Sequence, residues 1–135
     1  LQIHDIGPAL QEDALSQQLS QEKVVLHGKL SSEEVSHALS AAAYGALAYP
    51  PDYVSKSSVF GAYGAHAMCP ILLWQKYDSH DGLQANVNYA KGFEALDDAG
   101  FDARAIGRAA RQWYEPHRID AHVAALRTLI SEARR

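Results

Sequence analysis

The segment that most constrains the fold runs from residue 59 to residue 74 and reads VFGAYGAHAMCPILLW. His66 is the only side chain in this segment that can carry a charge near neutral pH. As a single helix the segment would be about 24 Å long, at about 1.5 Å per residue, and it would be apolar on every face. Because such a helix needs other elements around it in water, the sequence predicts a buried central helix from Val59 to Trp74.

Pro70 interrupts this central segment. Proline removes one helical hydrogen bond, and its ring crowds the carbonyl group four residues earlier, which here belongs to His66. We therefore expect the central helix to be kinked or broken near Pro70. A kink also exposes a backbone carbonyl group in the core, and the His66 ring could donate a hydrogen bond to it or to a neighbour. A functional alternative is a small-ligand pocket beside the kink, lined by His66, Tyr63 and Trp74.

Capping signals predict two of the surrounding helices. In the sequence LSSEEV, residues 30–35, Ser31 and Glu34 have the spacing of a capping box. The helix that follows must end by Pro50, because a residue that precedes proline is pushed out of the α region. In FDARAI, residues 101–106, Asp102 has the position of an N-cap.

The remaining segments complete a helical bundle. Further helices are indicated over residues 9–20, from Ser79 to Gly100, and after Pro116. The last of these helices carries one apolar stripe, formed by Ile119, Val123, Leu126, Ile130 and Ala133. Residues 23–27, KVVLH, are the only short candidate for a strand. The sequence therefore predicts an all-α fold: a single domain over residues 1–135, with five or six helices around the central helix and the last two forming an antiparallel hairpin.

Composition places the chain among ordinary globular proteins. It has 135 residues, of which 47% are apolar and 21% are charged, enough to bury a hydrophobic core. The central segment is shorter than the roughly 20 apolar residues that span a bilayer, so no membrane association is expected. The lone Cys69 cannot form an intrachain disulfide and suits a reducing, cytoplasmic location, whereas the absence of an initial Met also fits a processed exported form.

Positive charge is concentrated at the end of the chain. All seven arginines lie in residues 101–135, together with four acidic residues, whereas residues 1–100 hold five lysines and twelve acidic residues. Arg104, Arg108 and Arg111 recur at helical spacing and form an arginine ridge on one face. Guanidinium groups suit carboxylate and phosphate oxygens, so the ridge fits an anionic ligand or nucleic acid; it also fits the solvated face of an amphipathic helix.

The interpretation that the sequence favours is a non-enzymatic binding or regulatory module. Its contact surface would be the arginine ridge, the tyrosine-rich loop YPPDY with Tyr49 and Tyr53, or both. A protein partner or self-association as a homo-oligomer is the favoured interaction. The sequence implies no cofactor.

Two His-Asp pairs, His4-Asp5 and His80-Asp81, suggest an alternative with enzymatic activity. Such pairs hold divalent metals when further ligands converge on them. Two segments resemble sequence motifs of the HD-domain phosphohydrolases: LQIHDIG at the start of the chain and GKLSSEE at residues 28–34. This resemblance implies a metal-dependent hydrolase, with His80 and Asp81 as candidate ligands; otherwise Asp81 simply favours the start of a helix.

A second enzymatic alternative rests on Arg111 and His117, which are separated by five residues in RQWYEPH. This pattern resembles the active-site signature of HEPN-type ribonucleases, which are small helical domains that cleave RNA without metal. The resemblance implies that Arg111 stabilises phosphorane charge and that His117 transfers a proton. Pro116 falls between the two residues and would break a helix that carried both.

Overall fold

A computed structural model of the chain describes residues 2–8, 17–19, 21–74, 76 and 80–134 and shows a mixed α/β protein. The predicted all-α bundle is wrong, because the chain forms a two-stranded and a three-stranded sheet, both parallel. The chain divides into two compact units, residues 1–38 and residues 39–135. Each unit is described by itself below.

Five strands and five helices lie within the described ranges. The strands are β1 (Ile3–Asp5), β2 (Val24–Leu26), β3 (Tyr44–Leu47), β4 (Cys69–Leu72) and β5 (Ala90–Lys91). The helices are α1 (Ser32–Ala41), α2 (Pro51–Val54), α3 (Ser58–Ala65), α4 (Ala103–Tyr114) and α5 (Ile119–Glu132), with short 3₁₀ helices at Phe93–Asp97 and Glu115–His117. Most of the helix predicted over residues 9–20, and the predicted cap Ser79, fall outside the described residues.

In the first unit, β1 pairs with β2 in parallel, with Ile3 opposite Val24. Three residues of the strand candidate KVVLH, Val24–Leu26, thus form β2, contrary to the predicted all-α fold. The rings of His4 and His27 are nearly parallel, and Nδ1 of His4 lies 2.8 Å from Nε2 of His27, so an imidazole hydrogen bond joins the two strands.

The predicted capping box is confirmed at the start of α1. The backbone N–H of Ser31 donates to Glu34 Oε2 at 2.8 Å, and the N–H of Glu34 donates to Ser31 Oγ at 3.3 Å. The Ser31 hydroxyl also donates to this carboxylate at 2.7 Å. The hydrogen bonds from the side chain and backbone of Ser31 lower the pKa of Glu34.

The central apolar segment forms a helix and a strand instead of one kinked helix. Helix α3 ends at Ala65, a turn follows in which Ala67 has φ of 52°, and β4 begins at Cys69. Both a buried helix and a buried parallel strand have continuous apolar sequences, so composition could not separate them.

Pro70 is compatible with a strand because of the direction in which its nitrogen faces. The N–H groups of Cys69 and Leu73 donate to β3 and the segment before it, through the carbonyls of Ala43 and Leu47. Pro70 therefore faces the opposite side, where β5 pairs only from Ile71 onward. Proline removes no ladder hydrogen bond at this position.

Strands also occupy two further segments in which the sequence predicted none. Helix α1 ends at Ala41, before Pro50 as expected, and residues 44–47 form β3. The segment from Ser79 to Gly100 holds β5 and a 3₁₀ helix. Strands of two to four residues are too short to show a period of two in the sequence.

Helix α3 packs directly on β3 because residue 45 is glycine. A Cβ atom on Gly45 would lie 2.6 Å from the ring of Tyr63, which no real contact allows. The hydroxyl of Tyr63 also donates to the Ala46 carbonyl at 3.1 Å, and burial raises the pKa of this phenol.

The second unit has two hydrophobic clusters, to which consecutive residues of β4 contribute alternately, as expected for a strand. One cluster consists of Leu47, Val54, Phe60, Leu72, Leu83 and Tyr89. The other consists of Cys69, Ile71, Ala90, Ala95 and Ile106. The predicted start of α4 is confirmed, since Asp102 Oδ1 accepts from the N–H of Ala105 at 2.9 Å.

Helix α5 is present as predicted, but its apolar stripe is not buried. Ile119, Val123, Leu126 and Ile130 are between 40% and 83% exposed. Within the described ranges, no helix combines the length and apolar character needed to cross a membrane.

Candidate functional site

The three strands of the second unit run parallel, so their carboxyl ends lie at one edge of the sheet. Among the described residues, this edge is followed by residues 48–57 after β3, by residues 73, 74, 76, 80 and 81 after β4, and by residues 91–94 at the end of β5. In open parallel sheets that bind a ligand, the ligand lies outside the carboxyl ends of the strands. We call these three segments the carboxyl-edge site.

One exposed aromatic side chain follows each strand at this edge. Tyr53 after β3 is 55% exposed, Trp74 after β4 is 45% exposed, and Phe93 after β5 is 50% exposed. A single exposed aromatic residue is unremarkable in a globular protein. Three of them, each contributed by a different strand end, provide ring faces on which a flat ligand can stack.

Each of the three segments of this site also contains a lysine. Lys56 and Lys76 lie in the first two segments, and Lys91 is the last residue of β5; all three are exposed. The ammonium group of Lys56 lies 5.4 Å from the centre of the Tyr53 ring, within the range of a cation–π contact. Three of the five lysines of the chain therefore belong to one edge of the sheet.

Asp81 ties the segments of this site together. Its carboxylate accepts a hydrogen bond from the Ser55 hydroxyl at 2.5 Å, and its backbone carbonyl accepts one from the Trp113 indole N–H at 2.8 Å. The segment after β3, the segment after β4 and the end of α4 thus meet at one residue. Asp81 has φ of 50°, a conformation that Asp tolerates better than most residues.

A second contact joins the same two loops. Nε2 of His80 lies 3.0 Å from Oδ1 of Asp52, and both side chains are substantially exposed. A contact between two exposed side chains of this kind adds little stability.

The structure gives the predicted metal ligands separate partners. His80 faces Asp52, whereas the Asp81 carboxylate is bonded to Ser55. In the part of the chain that the structure describes, no three His, Cys, Asp or Glu side chains are grouped so as to hold a metal ion. His4 and Asp5 lie on β1, and His4 is bonded to His27.

Arg111 and His117 also enter separate hydrogen bonds. The guanidinium of Arg111 donates to the Ala65 carbonyl at 2.9 Å and to Glu115 at 3.1 Å, so it caps the end of α3. Nδ1 of His117 donates to the Trp113 carbonyl at 2.6 Å, and the two rings stack with centroids 4.1 Å apart. The helical fold that the ribonuclease resemblance implied is wrong for this mixed α/β chain.

The rest of the arginine ridge lies away from the carboxyl-edge site. Arg104 and Arg108 are exposed on α4 at the level of Gly107, where α4 approaches the backbone of Ala67. Ala67 precedes β4, so this part of the ridge is near the amino end of the sheet. The arginine ridge and the tyrosine loop are therefore separate surfaces of the second unit.

The residues predicted to line a pocket beside Pro70 are also apart. His66 caps the end of α3, where its Nδ1 donates to the Ala62 carbonyl at 2.8 Å. Tyr63 packs on β3, and Trp74 lies beyond the opposite end of β4 from His66. Tyr49, at the start of the tyrosine loop, is half-buried against the cluster that contains Leu47.

Sequence reasoning selected Tyr53, Trp74, His80 and Asp81 for unrelated reasons and missed their common location. It also missed the residues that complete the site: Asp52, Ser55, Lys56, Lys76, Lys91, Phe93 and Trp113. Recognition of residues 44–47 and 69–72 as parallel strands would have shown the pattern, since an aromatic residue and a lysine accompany each strand end.

Comparisons with protein-family models, with curated proteins and with solved structures found no match to this chain.

Proposed function

We propose that this chain is a binding module and that its second unit holds a mononucleotide at the carboxyl-edge site. The base would stack on an exposed aromatic ring, and the phosphate groups would be neutralised by lysine. The observation that supports this proposal most directly is the presence of one exposed aromatic residue beyond each of three parallel strands. The proposal retains the tyrosine loop as a contact surface and assigns no ligand to the arginine ridge.

The choice of a nucleotide follows from the pairing of ring faces with positive charge. Stacking of a base on an aromatic side chain contributes about 1–3 kcal/mol and does not depend strongly on which base is bound. Lys56, Lys76 and Lys91 supply ammonium groups in the same three segments. A ligand that is both flat and anionic uses both features, whereas a neutral sugar or an apolar molecule uses only one.

Two side-chain contacts join the segments that follow β3 and β4: the hydrogen bond from Ser55 to Asp81 and the contact of His80 with Asp52. Preorganised loops bind with a smaller loss of conformational entropy than mobile loops do. A cytoplasmic location, which the single free cysteine suggested, remains a prediction.

Calorimetric titration of the full chain with ADP, GDP and UDP tests the proposal. At least one nucleotide should bind, and removal of a stacking ring in Tyr53→Ala, Trp74→Ala or Phe93→Ala should weaken that binding by about 5- to 150-fold for the ring that carries the base. The matched control is Arg104→Ala with Arg108→Ala, which removes charge near the other end of the sheet and should leave the affinity unchanged. Absence of binding by all three nucleotides, or sensitivity to the control pair alone, would refute the proposal.

A further inference from the structure

We infer that α5 is an interface through which two copies of this chain associate, with the two helices antiparallel. Four large residues of the apolar stripe lie on α5, and all four are exposed in the single chain: Ile119, Val123, Leu126 and Ile130. Leu129, beside the stripe, is 60% exposed as well. Five large apolar side chains on one helix face form a patch of the kind that marks an interaction site.

The spacing of the stripe is that of a coiled-coil seam. Its residues are separated by four, three and four positions, which assigns Val123 and Ile130 to heptad positions a, and Ile119 and Leu126 to positions d. All four seam positions are filled by large aliphatic side chains, as the a and d positions of a coiled coil require. The stripe is therefore suited to a second helix of the same kind.

One antiparallel register satisfies the whole stripe. When Ile119 of one copy packs against Ile130 of the other, Val123 packs against Leu126, and the two-fold axis repeats both layers. Four apolar layers result, each containing one a and one d residue. No polar side chain falls within the seam in this register.

Charge complementarity in the same register points to a second copy as the occupant. Asp120 and Arg127 both occupy heptad position e, and in an antiparallel pair the e positions of the two helices face each other. The register brings Asp120 of each copy beside Arg127 of the other, so two reciprocal ion pairs flank the seam. Arg118 of the same chain binds both oxygens of the Asp120 carboxylate, at 3.2 and 3.1 Å, and the N–H of Ala121 donates to Oδ1, so Arg127 of the second copy would bind at the remaining acceptor position on Oδ2.

Sedimentation equilibrium of the full chain over a range of concentrations tests this inference. The wild-type chain should form dimers, and Leu126→Asp should weaken the association by at least about 100-fold, because each dimer loses the burial of two leucine side chains. Glu132→Arg, a charge reversal on the opposite face of α5, should leave the dissociation constant unchanged. Circular dichroism of each variant shows whether helix content is retained.

Charge reversal tests the register. Asp120→Arg and Arg127→Asp, each alone, should weaken the dimer by about tenfold through like charges across the seam. An equimolar mixture of the two variants should associate more strongly than either alone, since the mixed dimer restores both ion pairs. The inference would be overturned if the chain were monomeric at every concentration, if Leu126→Asp did not weaken the dimer, or if mixing the two variants restored no association. It would also be overturned if α5 mediated sedimentation with anionic phospholipid vesicles instead of self-association.

Discussion

The Ser55 hydroxyl donates a hydrogen bond to the carboxylate of Asp81, with 2.5 Å between the two oxygen atoms. The bond joins the loop that follows β3 to the loop that follows β4. Because the backbone carbonyl of Asp81 also accepts from the Trp113 indole, one residue connects two strand ends with the end of α4. The shape of the carboxyl-edge site depends on this connection.

Replacement of Asp81 should therefore destabilise the second unit. Asp81→Ala removes an acceptor and forces alanine into a positive φ, and we expect the free energy of unfolding to fall by about 1–3 kcal/mol. Asp81→Asn keeps an acceptor oxygen and tolerates this φ, so its loss should be smaller. Urea denaturation of the three proteins measures the difference, and equal stability of wild type and Asp81→Ala would contradict the role of this residue.

A glycine at position 107 allows α4 to approach the turn before β4. A Cβ atom there would clash with the backbone carbonyl oxygen of Ala67, which has no freedom to rotate away. Gly107→Ala should therefore lower the free energy of unfolding by about 1–3 kcal/mol, although the same change in an exposed helix would raise it.

Gly100→Ala is the matched control for this prediction. Nothing lies within 4 Å of a Cβ atom at Gly100, so the change should be neutral or slightly stabilising. Thermal or chemical denaturation of both variants checks the contrast. A Gly107→Ala variant as stable as Gly100→Ala would show that α4 does not lie as close to Ala67 as described.

Cys69 on β4 should be unreactive in the folded protein. Burial raises the pKa of its thiol from 9.0 to about 11, so the nucleophilic thiolate is scarce near neutral pH. A disulfide reagent such as Ellman's should react slowly with the native chain and rapidly in urea. Rapid reaction of the native chain would contradict burial of this strand.

The same thiol should make stability depend on alkaline pH. The unfolded chain loses the Cys69 proton near pH 9.0, whereas the folded chain retains it until about pH 11. The contribution is therefore fully present below pH 9.0 and is lost as the pH rises toward 11. Cys69→Ala should show a shallower decline over this range in denaturation experiments; identical slopes in the two proteins would argue against the raised pKa.

Local signals in the sequence predicted the starts of helices well. Ser31 with Glu34, and Asp102, bind backbone N–H groups within three residues, so their geometry depends on neighbours in the chain. The fold class was wrong because the apolar run at 59–74 fits a buried helix and a buried strand equally well. Which structure forms is decided by pairing with β3 and β5, which are distant in the sequence.

The candidate site was predictable residue by residue but not as a site. Tyr53, Trp74, His80 and Asp81 are all recognisable in the sequence, yet nothing local places them together. Their convergence follows from the parallel order of β3, β4 and β5, and the short strands leave no periodic signal of that order. For α5, the periodicity of the sequence predicted the helix correctly. It could not show whether another part of the protein covers the apolar stripe of that helix.

The most direct test of the account is a ¹H–¹⁵N NMR titration of the full chain with the nucleotide that binds most tightly. We predict that the amide shifts change in residues 48, 49, 52–57, 73, 74, 76 and 91–94, around the carboxyl ends of β3, β4 and β5. The amide shifts should not change at Arg104, at Arg108 or in the turn at Ala67, which lies near the amino end of β4. Shift changes confined to the arginine ridge, or no changes at millimolar nucleotide, would contradict a ligand site at the carboxyl edge of this sheet.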